Sequence, residues 1–240
     1  MTRPFKAWLS GLLITALLAS ISVVWLDKPI AILVHDTFGP RDFPDILVRS
    51  PGISIPLASA LVFVALGLAA IMGRHFSKLE TCVLLCGISV LAADAIKNHL
   101  KYAFGRTWPD SWGPGILSLI RDNVYGFHFF HFGRSYESFP SGHAATVAAV
   151  MSVFWVVFPK LRPFYAICIG AADAGLVLLN LHFVSDVVAG TFVGVSTGMF
   201  TVALCSPNFR ENSLNRAAKV DPVDAIAEIA AVEDIRDVGY

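Results

Sequence analysis

Charged side chains are scarce in this chain of 240 residues. Asp, Glu, Lys and Arg together make up 15% of it, whereas soluble domains contain about 25%. Basic and acidic residues number 18 each, so the formal net charge is zero and nothing indicates a nucleic-acid partner. Hydrophobic residues make up 55% and the mean hydropathy is +0.66. This composition excludes an ordinary soluble domain and indicates a membrane protein with several spans.

Cysteine is also rare, and its placement indicates no disulfide. All four cysteines lie within or at the ends of apolar segments rather than in polar loops. Cys82 and Cys86 are one helical turn apart, which is poor geometry for a disulfide. We therefore interpret the cysteines as small buried helix residues. They are Cys82, Cys86, Cys168 and Cys205.

Long apolar runs are what the sequence has in abundance. Six are long enough to cross a bilayer, which takes about 20 residues for each helix. The first, 7–26, exceeds the roughly 7–15 residues of a secretory signal core, so we predict an uncleaved span. The sequence thus predicts an all-α integral membrane bundle of six helices over 1–205, followed by a tail, 206–240. The other predicted spans are 52–73, 79–98, 142–158, 164–181 and 187–205.

Basic residues in the short loops predict the orientation, because cytoplasmic loops are enriched in Lys and Arg. With six spans, the basic segments and the tail fall on one side. We expect that side to be cytoplasmic in a bacterial-type inner membrane, with both termini inside. The opposite, outer face then carries 27–51, 99–141 and 182–186. The basic residues are Arg3, Lys6, Arg74, Lys78, Lys160 and Arg162.

A pair of polar residues falls at the outer end of the last predicted span. His182 and Asp186 are four residues apart, so they share one face of a helix. An aspartate that accepts from one imidazole nitrogen fixes the tautomer and makes the other nitrogen more nucleophilic. Such pairs also occur as ordinary surface contacts, but the position at a membrane boundary favours a functional role.

Cations and a helix start lie on the same outer face. Lys101 and Arg106 follow the third predicted span, where they either extend toward lipid headgroups or clamp the oxygens of a phosphate. Ser141 and Gly142 open the fourth span, and the free amides of a helix start attract anions. His143 follows them directly. These residues together are the components of a phosphoryl-transfer site that uses a phosphohistidine.

Other polar and small residues also lie inside the predicted spans. Asp94 lies one turn before Lys97, which predicts a local ion pair, whereas Asp173 has no evident partner in the sequence. Gly190, Gly194 and Gly198 recur every four residues. This spacing indicates close helix packing, either inside the bundle or at a homodimer contact. The tail contains one short amphipathic stretch.

The motifs over about 95–205 resemble those of the type 2 phosphatidic acid phosphatase (PAP2) superfamily, whose helical core is shared with vanadium haloperoxidases. That family has the ordered motifs Lys-x6-Arg-Pro, Pro-Ser-Gly-His and Ser-Arg-x5-His-x3-Asp. The second motif is intact here and ends at His143. The first keeps Lys101 and Pro109, and the third keeps His182 and Asp186.

The resemblance implies a lipid phosphatase at the outer leaflet that needs no metal ion or cofactor. His182, oriented by Asp186, would attack phosphorus, and His143 would protonate the leaving alkoxide. Water would then hydrolyse the phosphohistidine. The implied substrate carries a terminal phosphate, as phospholipids, isoprenyl diphosphates and lipid A do. The expected phosphate ligands are Lys101, Arg106, Ser141 and Gly142.

Two positions depart from the family motifs. Trp108 and Leu176 stand where the family has phosphate-binding arginines. Arg106 is the expected replacement, with Arg134 as a second. The departures leave two alternatives: a catalytically silent protein that binds or moves phospholipid, and a lipid phosphotransferase. A metal hydrolase is a further alternative, and its ligands would be His128, His131, His143 and His182.

Overall fold

The computed structural model describes residues 3–39, 45–111 and 113–205. Residues 1–201 belong to one compact unit, and a second begins at residue 202. The predicted tail, with its amphipathic stretch, lies outside the described residues. The helices are α1 (Arg3–Ile21), α2 (Asp27–Phe38), α3 (Asp45–Ile71), α4 (Lys78–Phe104), α5 (Leu119–Asp122), α6 (Gly142–Val157), α7 (Arg162–Leu178) and α8 (Val184–Cys205).

The predicted all-helical, membrane-spanning architecture is confirmed. The described part of the chain has only isolated β-bridges besides its helices and turns. Each of the six predicted spans overlaps a helix, and the protein is a multi-pass membrane protein. α6 is the shortest of the six, with 16 residues. The stretches long and apolar enough to cross a membrane are Phe5–Phe38, Ser54–Ile71, Lys78–Phe104, Pro159–Leu178 and Val184–Cys205.

Several helices extend beyond the predicted boundaries: α3 begins at Asp45 rather than at 52, and two further extensions lie near the candidate site. A π-helical turn, Ser22–Leu26, joins α1 to α2 without a break, so residues predicted to begin an outer loop are helical. The third helix runs on to Phe104, which places Lys101 in its last turn rather than after it. α4 begins at a capping box formed by Ser77 and Glu80, and such reciprocal hydrogen bonds satisfy the free amides of a helix start.

α6 and α8 pack at very short range through the predicted glycine stripe. A Cβ added at Gly194 would lie 2.2 Å from the carbonyl oxygen of Ala145, and one at Gly190 would lie 2.4 Å from that of Ser141. Only glycine permits this approach. The stripe is therefore a contact inside the bundle. The face offered for the predicted homodimer by Gly190, Gly194 and Gly198 packs against α6 of the same chain.

The long segment between α4 and α6 packs together with α2 against the turn that precedes α8. Ala31 of α2 forms a buried apolar cluster with Leu119 of α5 and Phe183. The side-chain amide of Asn180 donates to the carbonyl oxygen of Ala31 at 2.9 Å. These contacts attach α2 to the turn between α7 and α8, which brings the first helical stretch against the predicted site.

Candidate active site

The N-terminal ends of α6 and α8 are hydrogen-bonded to each other, and this brings His143 close to His182. The amide of Ser141 donates to the carbonyl oxygen of Asp186 at 2.9 Å. The Ser141 hydroxyl accepts from the Ala144 amide at 3.3 Å and so caps α6. The ring centroids of His143 and His182 lie 6.1 Å apart. The structure thus brings together residues that are about 40 positions apart in the sequence.

His182 lies in the turn before α8 and is almost completely buried. Its Nδ1 is 3.6 Å from Oδ2 of Asp186, slightly longer than a hydrogen bond. Burial lowers the pKa of His182 below its ordinary value, because desolvation outweighs the opposing effect of Asp186. The imidazole is therefore neutral at neutral pH, which is the form that can act as a nucleophile.

The carboxylate of Asp186 is held on several sides. Its Oδ2 accepts from the Ser138 hydroxyl at 2.6 Å and from the Phe183 amide at 3.0 Å. Its Oδ1 lies 2.6 Å from Nη1 of Arg106. Asp186 has no solvent-exposed surface. A carboxylate this constrained can orient an imidazole, since its own position is fixed by its partners.

Lys101 lies in the last turn of α4, close to His182. Its Nζ donates to the carbonyl oxygen of Glu137 and lies 5.6 Å from the ring centroid of Trp108. The Trp108 ring is in turn 5.1 Å from the ring of His182. The tryptophan at the family's arginine position is therefore adjacent to both the cation and the predicted nucleophile.

Lys97 is a second cation at this site, and the sequence reasoning did not include it. A Cβ added at Gly142 would lie 3.1 Å from Cδ of Lys97 and 3.5 Å from its Nζ. The predicted ion pair with Asp94 is confirmed, with Nζ 2.7 Å from Oδ1. The four-residue spacing of Lys97 and Lys101 could have revealed that they share a helix face.

Arg106 does not lie where the expected phosphate-binding role requires. Its Nη1 pairs with Asp186, and its Nη2 lies 2.7 Å from Oδ2 of Asp27. The side chain has no exposed surface. Burial alone would lower the pKa of Arg106, but the carboxylates of Asp186 and Asp27 raise it, so the guanidinium stays charged. Because both terminal nitrogens engage carboxylates, Arg106 lies behind Asp186 rather than as an open anion ligand.

A sharp turn after α4 directs Arg106 into this buried position. Gly105 adopts a left-handed conformation, with φ 53°. A Cβ there would lie 1.8 Å from the carbonyl oxygen of His128. The Gly105 carbonyl oxygen accepts from the His128 amide at 2.7 Å. Only glycine satisfies both the positive φ and this close contact.

The remaining candidates are distributed around the site. Leu176 packs in an apolar cluster with Ala144 and Val187, so that family arginine position carries no polar group. Arg134 lies beside Gly113, and its carbonyl oxygen accepts from the Trp108 indole at 2.7 Å.

The last polar candidates are Asp173 and two histidines in the segment between α4 and α6, His128 and His131. Asp173 accepts from the Thr191 hydroxyl at 2.8 Å, a partner that the sequence did not reveal. His128 and His131 form a separate pair, 6.1 Å apart, beside Tyr136. In the described ranges no three His, Cys, Asp or Glu side chains lie close enough to hold a metal ion.

Comparison with known proteins agrees with the motifs. The family model of the PAP2 superfamily matches residues 82–210, more than half of the chain. The chain therefore belongs to the PAP2 superfamily, and the predicted family membership is confirmed. The match begins within α4 and leaves α1 to α3 outside.

The curated relatives include several proteins named lipid A 1-phosphatase. The chain is 31% identical to that of Rhizobium johnstonii over 113 residues, covering 47% of this chain and 43% of the relative. It is 32% identical to that of Rhizobium etli, covering 44% and 43%. It is 30% identical to that of Porphyromonas gingivalis, and the match covers 42% of this chain and 19% of the relative. The chain thus matches less than half the length of these relatives.

Among solved structures, a transmembrane PAP2-type phosphatidylglycerolphosphate phosphatase from Bacillus subtilis is similar. The superposition has a TM-score of 0.46 and 18% sequence identity. It covers 86% of this chain and 98% of the other.

Proposed function

We propose that this protein is a membrane-embedded phosphatase that removes a terminal phosphate from a lipid through a phosphohistidine intermediate. The observation that carries the proposal is the 6.1 Å separation of the His143 and His182 rings, with Asp186 next to His182 at 3.6 Å. Two histidines at this range can act on opposite sides of one phosphoryl group, one as nucleophile and one as acid.

The proposed reaction has two steps. Nε2 of neutral His182 attacks phosphorus, the N–P bond forms, and the bond from phosphorus to the lipid oxygen breaks. His143 gives its proton to the leaving alkoxide. In the second step His143 accepts a proton from water, whose oxygen attacks phosphorus and releases inorganic phosphate. His182 then regains its neutral form.

The phosphate oxygens are proposed to lie between α4 and the start of α6. Lys101, the Ser141 hydroxyl and the Gly142 amide are the donors, and Lys97 adds positive charge beside Gly142. A helix start favours anions, and donors fixed before the reaction stabilise charge that spreads over the oxygens in the transition state. Lys97 thus replaces part of the charge that the family supplies through arginines.

We propose a glycolipid phosphate of the lipid A class as the first substrate to test, because the curated relatives are named for it. Phospholipid phosphates and isoprenyl diphosphates are the other classes. The site is proposed to face the periplasm. Lys78 begins α4, Lys101 lies in its last turn, and Lys160 follows the far end of α6, so the basic loops lie at the opposite end of the bundle.

The test is phosphate release by the purified protein from four lipids: lipid A, phosphatidylglycerophosphate, an isoprenyl diphosphate and phosphatidic acid. We expect His182→Ala and His143→Ala each to lower kcat at least about 1,000-fold. His99→Ala replaces an exposed histidine on α4 and is the matched control. Vanadate should inhibit, and EDTA should not. Normal turnover in His182→Ala would refute the proposal, and loss of activity in EDTA would favour the metal hydrolase.

A second candidate is a protein that binds phospholipid without turning it over. It is favoured by the apolar residues at both family arginine positions, Trp108 and Leu176. Retention of a lipid phosphate by the purified protein, with no release from any of the four lipids, would support it. Recovery of the phosphate on a second lipid would instead identify a phosphotransferase.

A further inference from the structure

We infer that Asp27 and Arg106 are positioning residues that set the orientation of Asp186 and, through it, the basicity of the His182 imidazole. The inference rests on the proposed function in taking His182 as the nucleophile. Arg106 joins the two carboxylates with contacts of 2.7 Å to Asp27 and 2.6 Å to Asp186. We call Asp27, Arg106 and Asp186 the buried triad.

Asp27 is built into the site as firmly as Asp186. It lies where the π-helical turn meets α2, and it is 1% exposed. Its Oδ1 accepts from the Ser185 amide at 3.1 Å, and its Oδ2 accepts from the Ser185 hydroxyl. Ser185 immediately precedes Asp186, so Asp27 fixes the backbone that carries the predicted catalytic carboxylate as well as the arginine that contacts it.

The charge of the buried triad fits a catalytic purpose better than a structural one. Two aspartates and one arginine carry a net charge of −1, and a buried charge without compensation is strongly unfavourable. His182 gains positive charge as it attacks phosphorus and becomes a phosphoimidazolium. The net negative charge beside it is then compensated, so the buried triad stabilises the transition state more than the ground state.

Other ionisable groups also surround His182. Lys101 approaches from α4 and opposes protonation of His182, while His143 approaches from α6. Tyr125 accepts a hydrogen bond from Arg106 at 3.2 Å. Groups that face Lys101 rather than His182 directly are Lys97, Asp94 and Glu137.

The charge balance predicts opposite effects for two substitutions. Asp27→Asn makes the buried triad neutral, so protonation of His182 becomes less favourable. Arg106→Gln makes it doubly negative, so protonation becomes more favourable. If the ion pairs were purely structural, both variants would lose stability, but the protonation of His182 would not shift in opposite directions. The two shifts of opposite sign are the signature of the proposed role.

The experiment is a titration of labelled histidine side chains by NMR in the full-length protein in detergent micelles. The His182 signal is identified by its loss in His182→Gln. We expect its midpoint to move down by roughly half a pH unit or more in Asp27→Asn and up by a similar amount in Arg106→Gln. Asp36→Asn, on the exposed side of α2, and Arg121→Gln, which is 42% exposed, are the matched controls and should cause no shift.

Turnover gives the second readout. Because neutral His182 is the active form, kcat/KM falls as the pH drops through the His182 midpoint, which lies below the ordinary histidine value. This acid limb should move with the NMR midpoint in each variant. We expect kcat to fall about 10-fold while KM changes less than about 2-fold, since the buried triad does not touch substrate.

The double variant Asp27→Asn/Arg106→Gln keeps the test decisive if a single variant does not fold. It removes one positive and one negative charge, and removing both partners of a buried ion pair costs less stability than removing one. The His182 midpoint should return to near the native value. Unmoved midpoints, or shifts of the same sign in both single variants, would overturn the inference. Opposite shifts in a protein that releases no phosphate would instead sustain the inference and refute the proposed function.

Discussion

Cationic side chains lie in two regions beside the predicted nucleophile, and the two regions are built in contrasting ways. On one side, Lys101 donates to a backbone carbonyl and lies over the Trp108 ring, and Lys97 lies beside Gly142. We call this side the lysine region. On the other side, Arg106 is buried between Asp27 and Asp186. The lysine region borders the start of α6, whereas the arginine is enclosed by carboxylates.

The contrast shows that the partners of a cation decide its role, not its distance from the catalytic residues. Arg106 is 0% exposed and engages two carboxylates, so a phosphate would have to compete with both of them. Lys101 has a neutral carbonyl oxygen as its hydrogen-bond acceptor, which leaves its charge available to an anion. We therefore expect the two regions to respond differently to loss of charge.

Removing the arginine should have the largest effect on stability. Arg106→Met leaves two carboxylates buried without their counter-ion, and breaking a buried pair in this way costs about 3–5 kcal/mol. Lys101→Met should cost at most about 1 kcal/mol. The free energy of unfolding in detergent micelles measures the loss of stability in each variant. Equal losses would show that the two cations contribute equally to stability.

Removing the charge of Lys101 should have the largest effect on phosphate binding. We expect Lys101→Met to lower kcat/KM about 100-fold, or about 2.7 kcal/mol of transition-state stabilisation. The assay is steady-state phosphate release from the preferred lipid. Lys160→Met, an exposed change beyond the far end of α6, is the control. A Lys101 variant that keeps native activity would remove the lysine region from the proposed site.

Both regions depend on the tight contact of α6 with α8, which Gly194→Ala should disturb. The added Cβ would lie 2.2 Å from the Ala145 carbonyl oxygen, and overpacking of this kind costs about 1–3 kcal/mol. Gly175→Ala, where the Cβ meets nothing within 4 Å, is the matched control and should be neutral. Thermal unfolding in micelles measures the difference; a Gly194 variant as stable as the control would show that the helices can separate freely.

The smallest effect is expected from Lys97, because Asp94 already lies 2.7 Å from its ammonium group. Lys97→Met should lower kcat/KM about 5- to 10-fold, or about 1 kcal/mol. Lys97→Arg keeps the charge and should recover most of the activity in the same phosphate-release assay. A loss as large as that of Lys101→Met would mean that Asp94 does not compensate the charge of Lys97.

Much of the fold was predictable from local chemistry. A bilayer requires long apolar helices, so hydrophobic length alone located the six spans. The errors came at Lys101 and at Asp27, where polar residues continue a helix beyond the apolar run. Helical hydrogen bonding does not stop at the membrane boundary, and only the Gly105 turn ends α4.

The proximity of the candidate site residues was predictable where they are close in sequence. His182 and Asp186 form a pair with i,i+4 spacing, and Ser141, Gly142 and His143 are consecutive. The glycine stripe predicted a close helix contact but not its partner, because the same spacing suits a contact inside a chain or between chains. Nothing in the sequence indicated that Asp27 lies at the site, since its partner Arg106 is 79 residues away.

By itself, the sequence determined the class of protein, the apolar helices and the candidates for the reacting side chains, because these follow from composition and from short-range spacing. The tertiary structure decided which charges are open to a ligand and which are already compensated. Arg106 and Lys101 are five residues apart, yet one is enclosed by two carboxylates and the other is not. Electrostatic interactions depend on distance in space and on burial, and neither is a property of the order of residues.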